Sequence, residues 1–514
     1  MSTPTVVVAG AGPTGLALAC GLRMAGVSVR VIDKAERPSV ASRALGLQPR
    51  GSEVLNRLGA LGDLPERSVR MAEVATHVNG RCLVRLRVGR YAALTSWPVL
   101  VNSQAEVETR LRRRLGDLGV EVEWGRELLG ADQDGGGVTV QLTDGTVRTE
   151  WLIGCDGAHS RVRKVAGIAF PGASVVERFL LADVRAALPL MRDTASVWLR
   201  KDQMLAVFPL PGGDLWRVVA SAPPDGGDDV DSGGVAAVLR RELATHAGVD
   251  PSAAWEVVWT SVFGIQRRLA DEYRRGRILL AGDAAHIHSP FGGQGMNTGL
   301  GDAENLAWKL ALVASGRARD GLLDTYEAER RPVAREVVAS TSGLTRLVLG
   351  ESLPARAVRD HALVPLLRRP VVQRLLWEKS SQLKVGYRKG PLASRWPRLR
   401  SAVGSCAGDR VPDVECIRDD GSRTRLHAEL GSRWAIIAPP ADAQVYVDHA
   451  RRRLGGAAAV AALSSSHAHG RRVMLVRPDA HLAWSGTAPA ALDAWLARTL
   501  GDGLPRTSQW QPSD

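Results

Sequence analysis

Three stretches of this chain set glycine and aspartate where an apolar strand gives way to a helix, a pairing suited to holding a phosphorylated ligand. In the first, Val6-Val7-Val8-Ala9 runs into Gly10-Ala11-Gly12-Pro13-Thr14-Gly15. Gly10 permits a tight turn, Gly12 lets backbone approach a pyrophosphate, and Gly15 lets helix and strand pack closely. A helix opening at Pro13 offers unpaired N–H groups and partial positive charge to phosphate oxygens. Asp33, with Lys34 beside it, closes the next strand, where a carboxylate can accept hydrogen bonds from ribose hydroxyls. A glycine loop alone signals only a turn. Between strand and helix, with an acid at this spacing, it predicts a dinucleotide site.

The second stretch is Cys155-Asp156-Gly157-Ala158-His159-Ser160-Arg161-Val162-Arg163, directly after Trp151 to Gly154. In the third, Arg277 to Ala281 ends in Gly282-Asp283, and Ser289-Pro290-Phe291-Gly292-Gly293-Gln294-Gly295-Met296-Asn297 leads into a helix. Asp283 can hold a ribityl hydroxyl. The N–H groups of Gly295 to Asn297 suit the anionic end of a reduced flavin ring. His286 and His288 invite a catalytic role, but packing beneath the loop is the favoured reading. Arg50 could orient a substrate, against the plainer reading of a solvated arginine at a helix start. No acid–base constellation stands out, and the catalytic residues stay unassigned.

These motifs need a scaffold, and the apolar patterning predicts an α/β fold. Thr5 to Ala9 and Val27 to Ile32 read as buried parallel strands flanking a helix whose apolar face is Leu16, Leu18, Ala19, Leu22 and Met24. Helices follow at Gln104 to Leu118, Asn297 to Ser315, and Leu322 to Leu347, the last interrupted only by Pro332. Between about Val175 and Val262 apolar and polar residues alternate, as in a half-exposed antiparallel sheet. The resulting division is a discontinuous dinucleotide-binding domain (1–174 and 266–395), an inserted sheet domain (175–265) and a separable tail (396–514). A Pro/Gly/Ser-rich linker near Lys389 to Arg410 precedes that tail.

Composition narrows the classes. The 514 residues carry a net charge of +13, almost all of the excess being arginine scattered along predicted helix faces, so nucleic-acid binding is not expected. No apolar run reaches membrane-spanning length, and the N-terminus enters a strand without a charged leader. A cytoplasmic protein without membrane association is expected. Cys20, Cys82, Cys155, Cys406 and Cys416 show neither C-x-x-C nor metal-ligand spacing. Neither disulfide nor metal is implied.

The three segments together resemble the G-x-G-x-x-G, D-G and G-D motifs of the class A flavoprotein aromatic hydroxylases, which include para-hydroxybenzoate and phenol hydroxylase. They are most similar to those that tailor aromatic polyketides. Ser42-Arg43-Ala44-Leu45-Gly46, the Gln104 to Arg110 helix and Tyr326-Glu-Ala-Glu-Arg-Arg-Pro332 belong to the match. Gly408 to Asp413 and Val476-Arg477-Pro478-Asp479 resemble the family's thioredoxin-like tail, here without a redox cysteine pair.

The resemblance implies a Rossmann-like fold around non-covalent FAD. It makes Gly10, Gly12, Pro13, Thr14, Gly15 and Lys34 cofactor-binding, and places Asp33 on the adenosine ribose, Arg43 on the pyrophosphate and Gln104 near the ribityl chain. Asp156 and Gly157 would lie near the pyrophosphate, on a face shared with NADPH. Gly282 and Asp283 would hold the ribityl chain, and Pro290, Gly293, Gly295, Met296 and Asn297 would line the ring. Asp33 stands where glutamate is more usual, and Ser289-Pro290 where a proline pair is. Because no second G-x-G-x-x-G exists, NADPH (or NADH) would be a transient visitor, with molecular oxygen the other reactant.

The implied reaction is monooxygenation of a polycyclic, polyketide-type aromatic through a flavin C4a-hydroperoxide, by a monomer or homodimer. Baeyer–Villiger or antibiotic-inactivating oxygenation, a non-oxygenating flavin reductase, and a flavoprotein serving as a binding module are the alternatives. Trp97, Phe208, Trp216 and Phe291 are the candidate pocket lining between sheet and flavin, against the plainer reading of aromatic core.

Overall fold

The structure, a computed structural model, describes residues 4–39, 44–78, 80–88, 95, 97–200, 203–222, 232–250, 252, 254–288, 293–349, 364–393, 406–439, 443–465 and 472–501. Arg43, Pro290 and Phe291 lie outside the described residues.

Val6–Ala9 is the heart of the first sheet because its four residues are apolar on both faces. It pairs in parallel with Val29–Ile32 on one side and Trp151–Gly154 on the other. Val122–Glu123 and Ile278–Leu280 extend the sheet in parallel, so three strand ends that carry glycine or aspartate emerge at one edge. Strands buried on both faces require helices above and below. The helices of this part are α1 (Pro13–Met24), α2 (Pro49–Arg57), α3 (Leu64–Arg67), α4 (Gln104–Asp117), α5 (Arg161–Val165), α6 (Ser232–Ala247), α7 (Gly295–Ala314) and α8 (Asp324–Leu349). α1 packs against both α4 and α7. α8 runs through Pro332 without breaking.

The alternating segment forms a second sheet of eight strands, but this sheet is not confined to residues 175–265. It recruits Glu73–Val78 and Arg81–Arg87 at one edge and His286–Ile287 at the other. Glu73–Val78 lies parallel to Thr194–Arg200, a pairing between distant segments that local patterning does not reveal. α6 covers one face, packing Val235, Leu239 and Leu243 against Leu180, Val184, Leu205, Val207, Trp216 and Val218. The other face carries Phe179, Phe208, Val219 and Phe263. α8 packs against the Gln203–Pro209 and Trp255–Leu269 strands of this sheet.

The tail is a six-stranded mixed sheet centred on Trp434–Ile437, with helices Ala443–Leu454 and Pro489–Leu500 beside it. It is not separable in the sense expected. One apolar cluster joins its Trp434, Tyr446, Val460 and Leu496 to Trp308, Leu312 and Leu322 of the first domain. The Trp308 and Trp434 rings meet edge to face, 5.1 Å between centroids. The linker's polar composition conceals this seam, because the apolar residues that close it lie on α7. All five cysteines are free. No described helix is long and apolar enough to cross a membrane.

Candidate active site

The glycines of the first loop are required for different reasons. Gly10 has φ +106°, and a Cβ there would overlap the Cys155 carbonyl; at Gly15 it would overlap the Gly10 carbonyl. Both are demanded by the protein's own packing. Gly12 is not: its φ of −74° suits any residue, and no protein atom lies within 4 Å of where its Cβ would stand. That open space sits over the N-terminus of α1, which begins with proline and has no side-chain cap. Unpaired helical N–H groups beside vacant volume fit a pyrophosphate.

Asp33 closes the second strand as expected. Its Oδ2 accepts from the Ala11 N–H at 2.7 Å and its Oδ1 from the Ala35 N–H at 2.9 Å, so the carboxylate braces the loop and keeps further lone pairs for a ribose. Lys34 is exposed beside it. Gln104 opens α4 and donates to Glu108 Oε1 at 2.8 Å. Burial, reinforced by the charge of Asp33, raises the Glu108 carboxyl above its usual range.

Asp156 is committed locally. Its Oδ1 accepts from Ser160 Oγ at 2.5 Å, and its Oδ2 from the N–H groups of Arg161 and Val162 at 2.6 and 3.0 Å, capping α5. Gly157, at φ +77°, again faces open space. Arg163, given no role by sequence reasoning, ties this loop to the third one: it donates to the Ala158 carbonyl at 2.9 Å and the Ala284 carbonyl at 2.8 Å.

In the third loop Thr14 is the hub. A Cβ on Gly282 would stand 2.6 Å from its hydroxyl, and Gly299 crowds the same atom. Thr14 therefore packs the first loop against the third. Asp283 is reached by solvent although protein surrounds it, as on the floor of a cleft. That confinement raises its carboxyl above the usual range, with Asp302 adding to the effect and His286 opposing it. Beneath lies a buried set that the sequence reading did not single out. Asp302 accepts from the Gly282 N–H at 3.1 Å, His286 Nε2 at 2.6 Å and Arg330 Nε at 2.7 Å. Burial opposes the charge on Asp302, but Arg330 and His286 outweigh it and hold the carboxyl low. His286 thus packs under the loop. Polar side chains at helical spacing on an otherwise apolar α7 were the available signal for Asp302.

Gly295 opens α7, also without a side-chain cap, and Met296 is half-buried against the main core. Asn297 pins the loop from below. Its Oδ1 accepts from the Gln48 N–H at 2.9 Å, and its Nδ2 donates to the Gly46 and Gly293 carbonyls at 3.0 and 2.8 Å. Gly293 needs its glycine, having φ +61°.

The candidate lining residues separate. In the sheet register Phe208 pairs with Arg217 and Pro209 with Trp216, so Phe208 and Trp216 face opposite sides. Trp216 is a core residue under α6, its indole N–H donating to the Ala186 carbonyl at 3.0 Å. Trp97 packs half-buried against the first domain's core. Phe208 alone of the three lies on the face opposite α6, where it also packs on Met71, Val101, Ala195 and Leu210, a cluster that Leu45 and Val99 share. Arg50 is neither solvated nor free for a substrate: its guanidinium is buried against Glu53, Glu304 and the Asp479 carbonyl.

Three strand ends thus converge on one cleft with two uncapped helix starts, the arrangement a flavin dinucleotide requires. Residues 3–341 match the family model described as an FAD binding domain, and residues 405–503 that described as the C-terminal domain of aromatic-ring hydroxylases. The chain belongs to the FAD-dependent aromatic-ring hydroxylase family. This hydroxylase is 36% identical over 511 residues to a 6-methylpretetramide 4-monooxygenase of Streptomyces rimosus, covering 97% of this chain and 87% of that one. It is 39% identical over 400 residues to a rifampicin monooxygenase of Streptomyces venezuelae, covering 75% and 80% respectively. The solved anhydrotetracycline hydroxylase from Streptomyces rimosus superposes with a TM-score of 0.79 at 31% identity, covering 98% and 100% of the two chains. The hydroxylase is an enzyme that uses FAD, a reduced nicotinamide and oxygen.

Proposed function

We infer that this hydroxylase oxygenates a polycyclic aromatic polyketide, with NADPH as the transient reductant. The observation that carries the reading is the apolar sheet face left open by α6. Phe179 and Phe263 stack there at 5.8 Å between centroids, and Phe208 packs both on their cluster and on that of Met71, Val101, Ala195 and Leu210, which Leu45 also joins. That largely apolar wall, which beside Phe208 also carries the Arg217–Asp183 ion pair, suits a fused-ring substrate with polar substituents better than a small phenol.

When bound, FAD supplies the two-electron chemistry that activates oxygen. The chain's own part is binding and exclusion of water. Asp33 would hold the adenosine ribose, Gly12 and Gly157 leave room for a pyrophosphate, and Asp283 would hold the ribityl chain. Arg43 and Gln104 would complete that grip, while the N–H groups of Gly295, Met296 and Asn297 would offer positive partial charge to the ring. Pro290 and Phe291 belong to the same loop. The open sheet face keeps the substrate ring near the flavin and water away from it. The sheet is thereby the substrate domain, the tail a thioredoxin-like module, and the protein a cytoplasmic monomer or homodimer.

A second reading, oxygenation that inactivates an ansamycin-type antibiotic, draws on the rifampicin monooxygenase relative. One assay separates them. NADPH oxidation would be measured with 6-methylpretetramide, anhydrotetracycline and rifampicin, with labelled oxygen gas and mass spectrometry of the products. Stimulation by the tetracyclic compounds with one labelled oxygen in a ring hydroxyl is expected. Stimulation by rifampicin alone would favour the second reading, and turnover without label would remove both.

A further inference from the structure

The tail touches the flavin site through two helices. α2 lies between the tail and α7, and its charged side chains are divided between them. Arg410 of the tail donates from Nε and Nη2 to both carboxylate oxygens of Glu53, the Nε bond being 2.9 Å. Arg50 donates to Glu53 at 3.3 Å, to Glu304 of α7 at 3.2 Å and to the tail's Asp479 carbonyl at 2.8 Å. Arg57 donates to Glu304 at 2.6 and 3.0 Å and to His427 Nδ1 of the tail at 3.1 Å. Arg50, Glu53, Arg57, Glu304 and His427 are buried, and the Arg410 side chain is only 7% exposed.

The same two helices begin at the flavin loop. Gln48 caps α2 and gives its N–H to Asn297, and Gly51 faces Asn297 so closely that a Cβ would overlap its amide. Glu304 lies two turns along α7 from Asn297, on the same face. Glu53 and Glu304, the acids at the tail's seam, and the amide that anchors the loop therefore lie within about two turns of one another on the same pair of helices.

We propose that the tail is a positioning element of the flavin site, with Arg410 and Arg50 setting, through α2 and α7, where Asn297 holds Gly293 and the first turn of α7. This rests on the reading that FAD occupies the cleft of Gly12 and Asp283. Buried charge carries the coupling well, because a carboxylate that loses its partner in a closed interior must move or take up water. The tail then does more than its separable appearance in sequence suggests.

The test uses the full-length enzyme with Arg410→Met, Arg410→Lys and, as a control, Arg453→Met, which breaks the tail's own Arg453–Asp493 pair. FAD affinity is titrated by fluorescence, and hydrogen exchange of peptides spanning 293–300 is followed in the apoprotein. Arg410→Met should raise the FAD Kd about tenfold and speed exchange in 293–300, with Arg453→Met within about twofold of wild type. Lysine keeps the charge but not the two-point grip, so Arg410→Lys should fall between them, and it is read alone if the methionine variant does not fold. Wild-type affinity and exchange in the folded Arg410 variants would overturn the proposal, as would equal effects from Arg453→Met. A wild-type enzyme that binds no FAD would instead overturn the cofactor reading.

Discussion

Arg477 grips Glu329 with both terminal nitrogens, Nη1 at 2.8 Å from Oε1 and Nη2 at 3.0 Å from Oε2, across the seam between tail and first domain. Glu329 also accepts from Lys309 at 2.8 Å and Asn305 at 2.8 Å. Burial alone would raise this carboxyl, yet Arg477 and Lys309 bring it down to about 2. Removing one member of such a set strands the others, which costs about 3–5 kcal/mol. Arg477→Met should lower the unfolding free energy by that amount. Calorimetry should still show one transition, because a single apolar cluster spans the seam. Two resolved transitions would mean that the tail folds independently.

The two kinds of glycine in the first loop predict opposite phenotypes. Gly12→Ala meets no protein atom and no forbidden backbone angle. Its apoprotein should unfold within about 1 kcal/mol of wild type while FAD affinity falls about tenfold or more, since the methyl enters the ligand's space. Gly10→Ala should lose the fold itself. Thermal melts of both apoproteins beside flavin titrations would decide, and full flavin binding by Gly12→Ala would contradict the site.

Asp302 makes no contact with the open cleft, yet it holds the Gly282 N–H at the start of the third loop. Asp302→Asn loses the charge that Arg330 and His286 share, and should give a folded protein with weakened flavin retention after gel filtration. Asp283→Ala should be largely colourless. If Asp283→Ala keeps the flavin absorbance of wild type, its carboxylate does not hold the ribityl chain.

His427 ties the seam to pH. Burial first, then the positive charge of Arg57, lowers its ring from 6.5 to about 3, against the pull of Glu53 and Asp413 and with Arg410 adding to the fall. The folded protein therefore refuses a proton that the unfolded chain accepts, so stability falls as pH drops from about 6.5 toward about 3. Glu329 adds to the same slope between 4.5 and about 2, its folded form shedding protons more readily than the unfolded chain. Urea titrations across that range should show His427→Gln with a shallower decline above pH 4.5 than wild type.

Opposite faces of the eight-stranded sheet should respond differently. Trp216→Ala opens a cavity under α6 and should cost about 3–5 kcal/mol of stability. Phe208→Ala should fold, but should raise the KM for anhydrotetracycline in NADPH-oxidation assays. Unchanged KM together with a large loss of stability would make Phe208 ordinary core.

The nucleotide end was legible because its constraints are local. Strand, glycine turn, helix start and acid follow one another within one βαβ unit, and Gly10, Gly15 and Asp33 stand where that unit needs them. Asp302, Arg330 and Arg163 were not legible, since each earns its role from partners far away in sequence. The sheet edges were missed for the same reason: Glu73–Val78 pairs with a strand more than a hundred residues away. Arg50 and Trp216 misled in a more instructive manner. A charged residue at a helix start and an aromatic at strand spacing look alike whether they face substrate or core, and only register and burial tell them apart.

The seam at Glu53, Glu304 and Glu329 has an evolutionary corollary. Acids sit on the first domain, where Arg50, Arg57 and Lys309 answer them, and Arg410 and Arg477 of the tail answer two of the three as well, so exchanging either half alone would strand buried charge. A chimera that borrows its tail from a relative would inherit an active cleft only where the donor returns arginine at positions 410 and 477.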